Sequence, residues 1–183
     1  MALSELRRSG QRVAIMTRGP DQMFDRPGTI HLAVSQRGKF LVASSIAAIA
    51  DLTWLGEPVE PSSEAGQWRR VNSVLALPVM DGSSPGPIHK GALVDVGPVE
   101  RSADSILVPI SWQSDSVAPL FPVFAGRLTI RTNVLALEGE YAPPLGRIGL
   151  LLDQRILNFV ARRTAQAFLA RFAGRLEAGP DPS

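Results

Sequence analysis

The sequence predicts an α+β domain: a curved antiparallel sheet of six to seven strands wrapped around a long C-terminal helix. Three observations carry that prediction. Between Gly28 and Tyr141, segment after segment alternates apolar and polar residues, with Gly, Pro and Asn between the segments. From about Ile148 to Leu176 the period becomes helical, and Leu157, Val160, Ala161, Thr164, Ala165, Phe168, Leu169 and Phe172 share one arc opposite Arg155, Arg162, Arg163 and Gln166. An apolar arc that broad needs cover of sheet size along most of its length.

The elements follow in order. Residues 1–27 form an Arg-rich lead-in with a candidate short strand at Val13–Thr17, residues 28–176 form the single domain, and 177–183 form a disordered tail. The first secure strand is 29–35. Arg37–Asp51 then reads as a helix with Val42, Ile46, Ile49 and Ala50 on its apolar face, closed by Trp54-Leu55-Gly56. The Pro/Glu/Ser-rich stretch 57–66 reads as a surface loop. Trp68–Leu77 is a strand with Val71, Ser73, Leu75 and Leu77 on one face, and Asp81–Pro87 is a turn. His89–Val96 and Ile106–Gln113 are further strands, the second with Ile106, Val108, Ile110 and Trp112 on one face.

Val123–Arg131 and Val134–Tyr141 form a hairpin about Thr132-Asn133. That turn pairs Leu128 with Leu137 inside and Arg127 with Glu138 outside, so both faces agree on one register. Tyr141 ends the last strand on its inner face, beside Leu135, Leu137 and Gly139. Pro143 and Pro144 lack the N–H needed to continue a ladder, Gly146 and Gly149 let the chain turn back, and Leu150–Leu152 supply apolar cover.

Composition narrows the classes. At 183 residues, 45% hydrophobic and 20% charged, the chain has enough apolar surface to bury a core and is not a disordered tail. Net charge is +2, carried by 17 Arg beside only Lys39 and Lys90. The pairs Arg7-Arg8, Arg69-Arg70 and Arg162-Arg163 are scattered and have no aromatic interleaving, so no nucleic-acid partner is expected. Without cysteine there is no disulfide, thiolate ligand or thiol nucleophile. The run Phe40–Leu55 is too short for a membrane span and is broken by Ser44, Ser45 and Asp51, so no integral membrane segment is expected. The opening MALSELRRSGQRVAIM has no signal-peptide core, which makes the cytoplasm the expected location.

Catalytic motifs are few. Gly82-Ser83-Ser84-Pro85-Gly86 satisfies G-x-S-x-G, but Pro85 lacks the N–H that would help hold an oxyanion and a strand follows where a helix is required, so it reads as a turn. His31 and His89 are the only histidines, each in a strand, without the clustering that a metal site needs. No cofactor is expected. Asp115, Glu138, Glu140 and Asp153 form no evident acid/base pair: Glu138 and Glu140 fall on the solvent face, and Asp153 near the helix start favours the helix dipole. Trp112, Phe121, Phe124, Tyr141, Phe159, Phe168 and Phe172 either fill a core or line a pocket. Gly126 and Gly139, on the inner face of the hairpin, mark either close approach of a ligand or a bend.

VPISWQSDSVAPLFPVFAGRLTI (108–130) leads into LEGEYAPPLGRIGLLLDQRIL and the Ala/Phe-rich helix. With its Tyr-x-Pro-Pro-Leu-Gly strand end and Asp153 early in the helix, this stretch resembles bacterial members of the START-like, or SRPBCC, superfamily, the helix-grip and polyketide cyclase-like group. The likeness spans 28–176 by order of elements and about 104–176 by sequence texture. The chain departs from the usual pattern in its lead-in and in having one helix and a stub where two helices are usual. The resemblance implies a hydrophobic pocket between sheet and helix, used in that group for lipids, sterols, polyketides and aromatic compounds. Trp112, Phe124, Leu128, Tyr141, Thr164 and Phe168 are its expected walls, and a hydrophobic small molecule its expected partner. No catalytic residue is assigned. A cyclase or dehydratase on the same cavity would take His31 or Tyr141 as acid/base, and a third reading is a non-enzymatic structural or regulatory protein, with a homodimer as the assembly to test.

Overall fold

In the computed structural model, residues 29–40, 42–59, 68–77, 88–115, 123–142 and 154–178 are described. They form β1 (Ile30–Arg37), α1 (Val42–Ala50), β2 (Gly56–Val59), β3 (Arg69–Leu77), β4 (Ile88–Val96), β5 (Glu100–Arg101), β6 (Ile106–Ser114), β7 (Val123–Arg131), β8 (Val134–Ala142) and α2 (Gln154–Ala178). The expected lead-in strand, the 81–87 turn, Phe121, the Pro-Pro corner and Asp153 lie outside these residues.

The α+β architecture is as the sequence predicts. The strands form one antiparallel sheet in the order β1-β8-β7-β6-β4-β3-β2, with β5 added on β6. The helix α2 packs against β1 and β8 on one wing and against β3 on the other. One helix reaches both wings because the sheet curves around it, without closing into a barrel. The hairpin register is the expected one: Leu128 faces Leu137, Arg127 faces Glu138, and Arg131 faces Val134 across the two-residue loop. Inner-face residues Val108, Ile110, Leu128, Leu135 and Leu137 are buried, and with the inner arc of α2 they make one continuous core.

Strand number and some boundaries differ from expectation. Among the described residues the sheet has eight strands because of two short additions. The stretch read as a loop from 57 begins as β2, in which Pro58 sits opposite Val71; proline is tolerated there because β2 is an edge strand with one side unladdered. The pair β5 continues β4 past a bulge. Val96 faces Ile110 and Glu100 faces Leu107, so four steps on one strand match three on the other. Gly97 N donates to Pro109 O at 2.8 Å within the bulge. At the far end, α2 runs on through Glu177 and Ala178, which the sequence assigns to the tail.

The first helix starts at Val42 rather than Arg37, because the alternation of β1 persists to Arg37. The chain then docks on the hairpin loop, with Gly38 N and Phe40 N donating to Asn133 O (3.2 Å) and Thr132 O (3.0 Å). The buried face of α1 is Ser45, Ala48 and Ile49, and Ala50, expected inside, is exposed.

The exit of α1 shows what several arginines do. Arg69 of β3 forks onto the carbonyls of Ile49 (2.5 Å) and Ala50 (2.8 Å), the acceptors that a helix C-terminus leaves free. Arg171 of α2 donates to Trp54 O (2.7 Å) and Val74 O (3.2 Å), and Arg175 pairs with Asp51 at 3.2 Å. Hydrogen bonds from the Thr53 hydroxyl and N–H, then the Arg175 guanidinium, hold the Asp51 carboxyl below its usual range. On the outer face, Arg70 closes a two-pronged contact on Asp95. Arg69→Lys is expected to cost about 1–2 kcal/mol in urea unfolding, because an ammonium cannot span two carbonyls as a planar fork does.

Candidate functional site between sheet and helix

The register assembles the site. Ile30, Tyr141, Phe124, Trp112, Val94 and Val71 stand opposite one another in turn across six strands, all on the inner face. The row thus carries three adjacent aromatics, with Trp112 and Phe124 stacked at 4.2 Å and 22°. The next row toward the hairpin loop runs Leu32, Gly139, Gly126, Ile110. A Cβ on either glycine would meet the tip of the Phe124 ring, at 2.6 Å for Gly126 and 2.9 Å for Gly139. The room beside these glycines is therefore filled by the protein's own Phe124, and a ligand is not what occupies it.

The helix arc over this region changes character along its length. Its first half presents Ala161, Thr164 and Ala165, and its second half Phe168, Leu169 and Phe172. The large residues fill their end: Phe168 lies between Trp54 (6.3 Å) and Trp112 (5.6 Å), and Phe172 packs on Trp54 at 5.1 Å. The small residues leave a gap lined by Leu32, Trp112, Phe124, Tyr141, Ala161 and Thr164. No part of it is wide enough for a water molecule. In this form the gap is closed.

Two of its walls carry polar atoms without partners. Trp112 Nε1 and Tyr141 Oη are buried and make no hydrogen bond. Trp54, by contrast, donates its Nε1 to Ala48 O at 2.7 Å. The Thr164 hydroxyl donates to Val160 O at 2.9 Å, one helical turn back. Burial pushes the Tyr141 phenol up to about 12. A phenol that holds its proton more tightly when folded stabilises the fold below its unfolded value of 10.0, and that contribution is lost as pH rises through about 12. Tyr141→Phe is expected to abolish this alkaline loss while leaving stability at pH 7 within about 1 kcal/mol, because no bond is broken. Urea midpoints at pH 7 and above 10 check both statements.

Of the expected walls, Trp112, Phe124, Tyr141 and Thr164 line the gap. Leu128 and Phe168 are buried in the adjoining core. Leu32, Ala161 and Trp54 complete this region and are absent from the sequence expectation; the small-to-large change along the helix arc was the signal for Ala161. Phe159, a pocket candidate, is instead 41% exposed, with the Arg163 guanidinium over its ring at 5.4 Å. His31 and His89 are both exposed on the outer face, away from the gap. Glu138 is exposed as expected, but Glu140 is half-buried and its Oε2 is shielded with no hydrogen-bond partner. Among the described residues no group of His, Asp or Glu could hold a metal ion. No helix among them is long and apolar enough to cross a membrane.

The antiparallel sheet with its C-terminal helix fits the arrangement that the resemblance implies. No protein-family model matches the sequence, and no curated protein matches it. The solved structures that resemble it include the following two. A conserved protein from Geobacillus kaustophilus aligns with a TM-score of 0.48 at 11% identity, over 81% of this chain and 96% of that one. DynU16, a protein of the dynemicin biosynthetic locus, aligns with a TM-score of 0.39 at 19% identity over 86% of this chain, which spans 51% of the DynU16 chain.

Proposed function

We propose that the protein is a helix-grip protein of the START-like kind that binds or carries a hydrophobic small molecule, lipid, polyketide-like or aromatic, between the sheet and the first half of α2. The observation that supports this reading is the change along α2: small Ala161 and Thr164 stand over Trp112, Phe124 and Tyr141, where a shift of the helix would open an apolar-walled recess. The second half of α2 instead meets the sheet and Trp54 with the large rings of Phe168 and Phe172. A mostly apolar recess with few polar groups is the usual character of a small-molecule site. Because the gap is closed, occupancy requires α2 or the aromatic row to shift. Cyclase or dehydratase chemistry has less support, since the histidines lie outside and Tyr141 keeps its proton at neutral pH.

Native mass spectrometry of the purified protein tests the reading. An apolar molecule retained by the wild type and lost in Ala161→Phe, whose ring would occupy the recess that a shift of α2 opens, is the expected result. Absence of any retained molecule, together with no binding of added apolar probes, would mean that sheet and helix meet as ordinary core.

A further inference from the structure

Two residues that line the gap, Trp112 and Tyr141, each carry a buried polar atom without a partner. Trp112 is 2% exposed and Tyr141 1%, so water does not satisfy them in place of protein. Nearly all buried polar groups in folded proteins have a partner, and leaving one unpaired is costly. Here two orphans occur on the walls of one gap, one strand apart on either side of Phe124. An indole N–H is a donor only, and a phenol, which can also accept, has no partner for its proton here. The remaining polar side chain, Thr164, has committed its proton to Val160 O. An acceptor is therefore the one kind of group that would satisfy both orphans.

The charge of that acceptor is constrained too. None of the lining residues Leu32, Trp112, Phe124, Tyr141, Ala161 and Thr164 is ionisable to a cation. A carboxylate or phosphate moved here would be buried with no counter-charge, at a cost that two neutral donors do not offset. A hydrocarbon without oxygen would leave both donors unpaired. Building on the binding function proposed above, we infer that the ligand class is an apolar, aromatic-sized molecule bearing a neutral oxygen acceptor, such as a ketone, ester or quinone carbonyl, which takes hydrogen bonds from Trp112 Nε1 and Tyr141 Oη. The site selects against free fatty acids and other anionic amphiphiles.

Three probes of nearly one shape separate the elements of this inference: acetonaphthone, ethylnaphthalene and naphthoate. Their affinities for the full chain are measured by calorimetry and by quenching of tryptophan emission. Acetonaphthone is expected to bind at least about tenfold more tightly than ethylnaphthalene, the worth of one buried hydrogen bond or more, and naphthoate more weakly than both. In Tyr141→Phe and Trp112→Phe the ratio of ketone to hydrocarbon affinity should fall, whatever the changed wall does to both affinities together. The carbonyl stretch of bound acetonaphthone should move to lower frequency in the wild type and move back in each variant, a readout that loss of packing alone does not produce. Equal binding of ketone and hydrocarbon, or a ketone preference unchanged in both variants, overturns the inference and leaves hydrophobic binding standing. Preferred binding of naphthoate also overturns it. Failure of all three probes, with no molecule retained in native mass spectrometry, overturns the binding function itself and the inference with it.

Discussion

Replacing Gly126 with alanine is expected to destabilise the protein by about 2–3 kcal/mol, at the upper end of what one added methyl does in a tight core. The reason is backbone proximity. A Cβ there falls on the carbonyl oxygen of Glu138 in the facing strand, with the Phe124 ring tip at 2.6 Å and Gly139 Cα at 2.8 Å. The ring can swing aside, but the neighbouring strand cannot retreat without stretching the β7–β8 ladder. Pairing the change with Phe124→Leu separates the two obstacles: that background should recover the part due to the ring and retain the part due to the carbonyl. Gly139→Ala is expected to behave likewise, since its Cβ meets Ala125 O and the same ring. Gly174→Ala is the control. Nothing lies within 4 Å of its Cβ on the exposed side of α2, so a gain of about 0.5–1 kcal/mol from helix propensity is expected. Urea unfolding with unchanged slope would report all four variants on one scale.

Phe168→Ala is expected to cost about 3–5 kcal/mol, the range for deleting a buried aromatic from a core that cannot collapse onto the vacancy. Phe168 is 3% exposed and lies between two indoles, at 6.3 Å from Trp54 and 5.6 Å from Trp112. It is the ring through which α2 holds both the exit of α1 and the aromatic row of the sheet. Tilted aromatic pairs add about 0.5–1.5 kcal/mol each beyond burial. Trp54 is fixed by its bond to Ala48 O, and Trp112 by its stack on Phe124, so neither can move to fill the space. The near-ultraviolet circular dichroism of the folded variant should also weaken, because two tryptophans lose one rigid neighbour.

Much of the architecture was legible because it follows from period and turn chemistry alone. The β7–β8 hairpin is the clearest case: Thr132-Asn133 sets the loop length, and the alternation on both strands then admits one register. The inner arc of α2 was legible for the same reason, from spacing near 3.6 residues. What failed to show were features decided by neighbours. Pro58 and Glu57 look like loop residues and are strand residues only because β3 offers a partner at the sheet edge. The two residues of β5 carry no period at all. Ser45 is fully buried on a helix face where the sequence pattern favoured Ala50, because position relative to the sheet, not hydrophobicity, decides which face turns inward. At the candidate site the aromatic identities were readable and their order across strands was not. Gly126 and Gly139 were placed correctly on the inner face, yet only the conformation of Phe124 shows who occupies the space beside them.

The place of β1 has a consequence for how the chain is made. Among the described residues it is the first strand of the sheet, and its ladder partner there is β8, with Ile30 opposite Tyr141. During synthesis from the N-terminus, β1 must therefore wait until nearly every other described strand has left the ribosome before it can join that ladder. Its second contact, α2, emerges later still. Pairing between such distant segments bears a large loop-closure cost before any contact rewards it, which places folding in the slower range for domains of this size. In that interval Leu32 and Val34, which end fully covered, are exposed to other chains. The alternating His31, Ala33, Ser35 and Arg37 keep the opposite side of that waiting strand free of large apolar side chains.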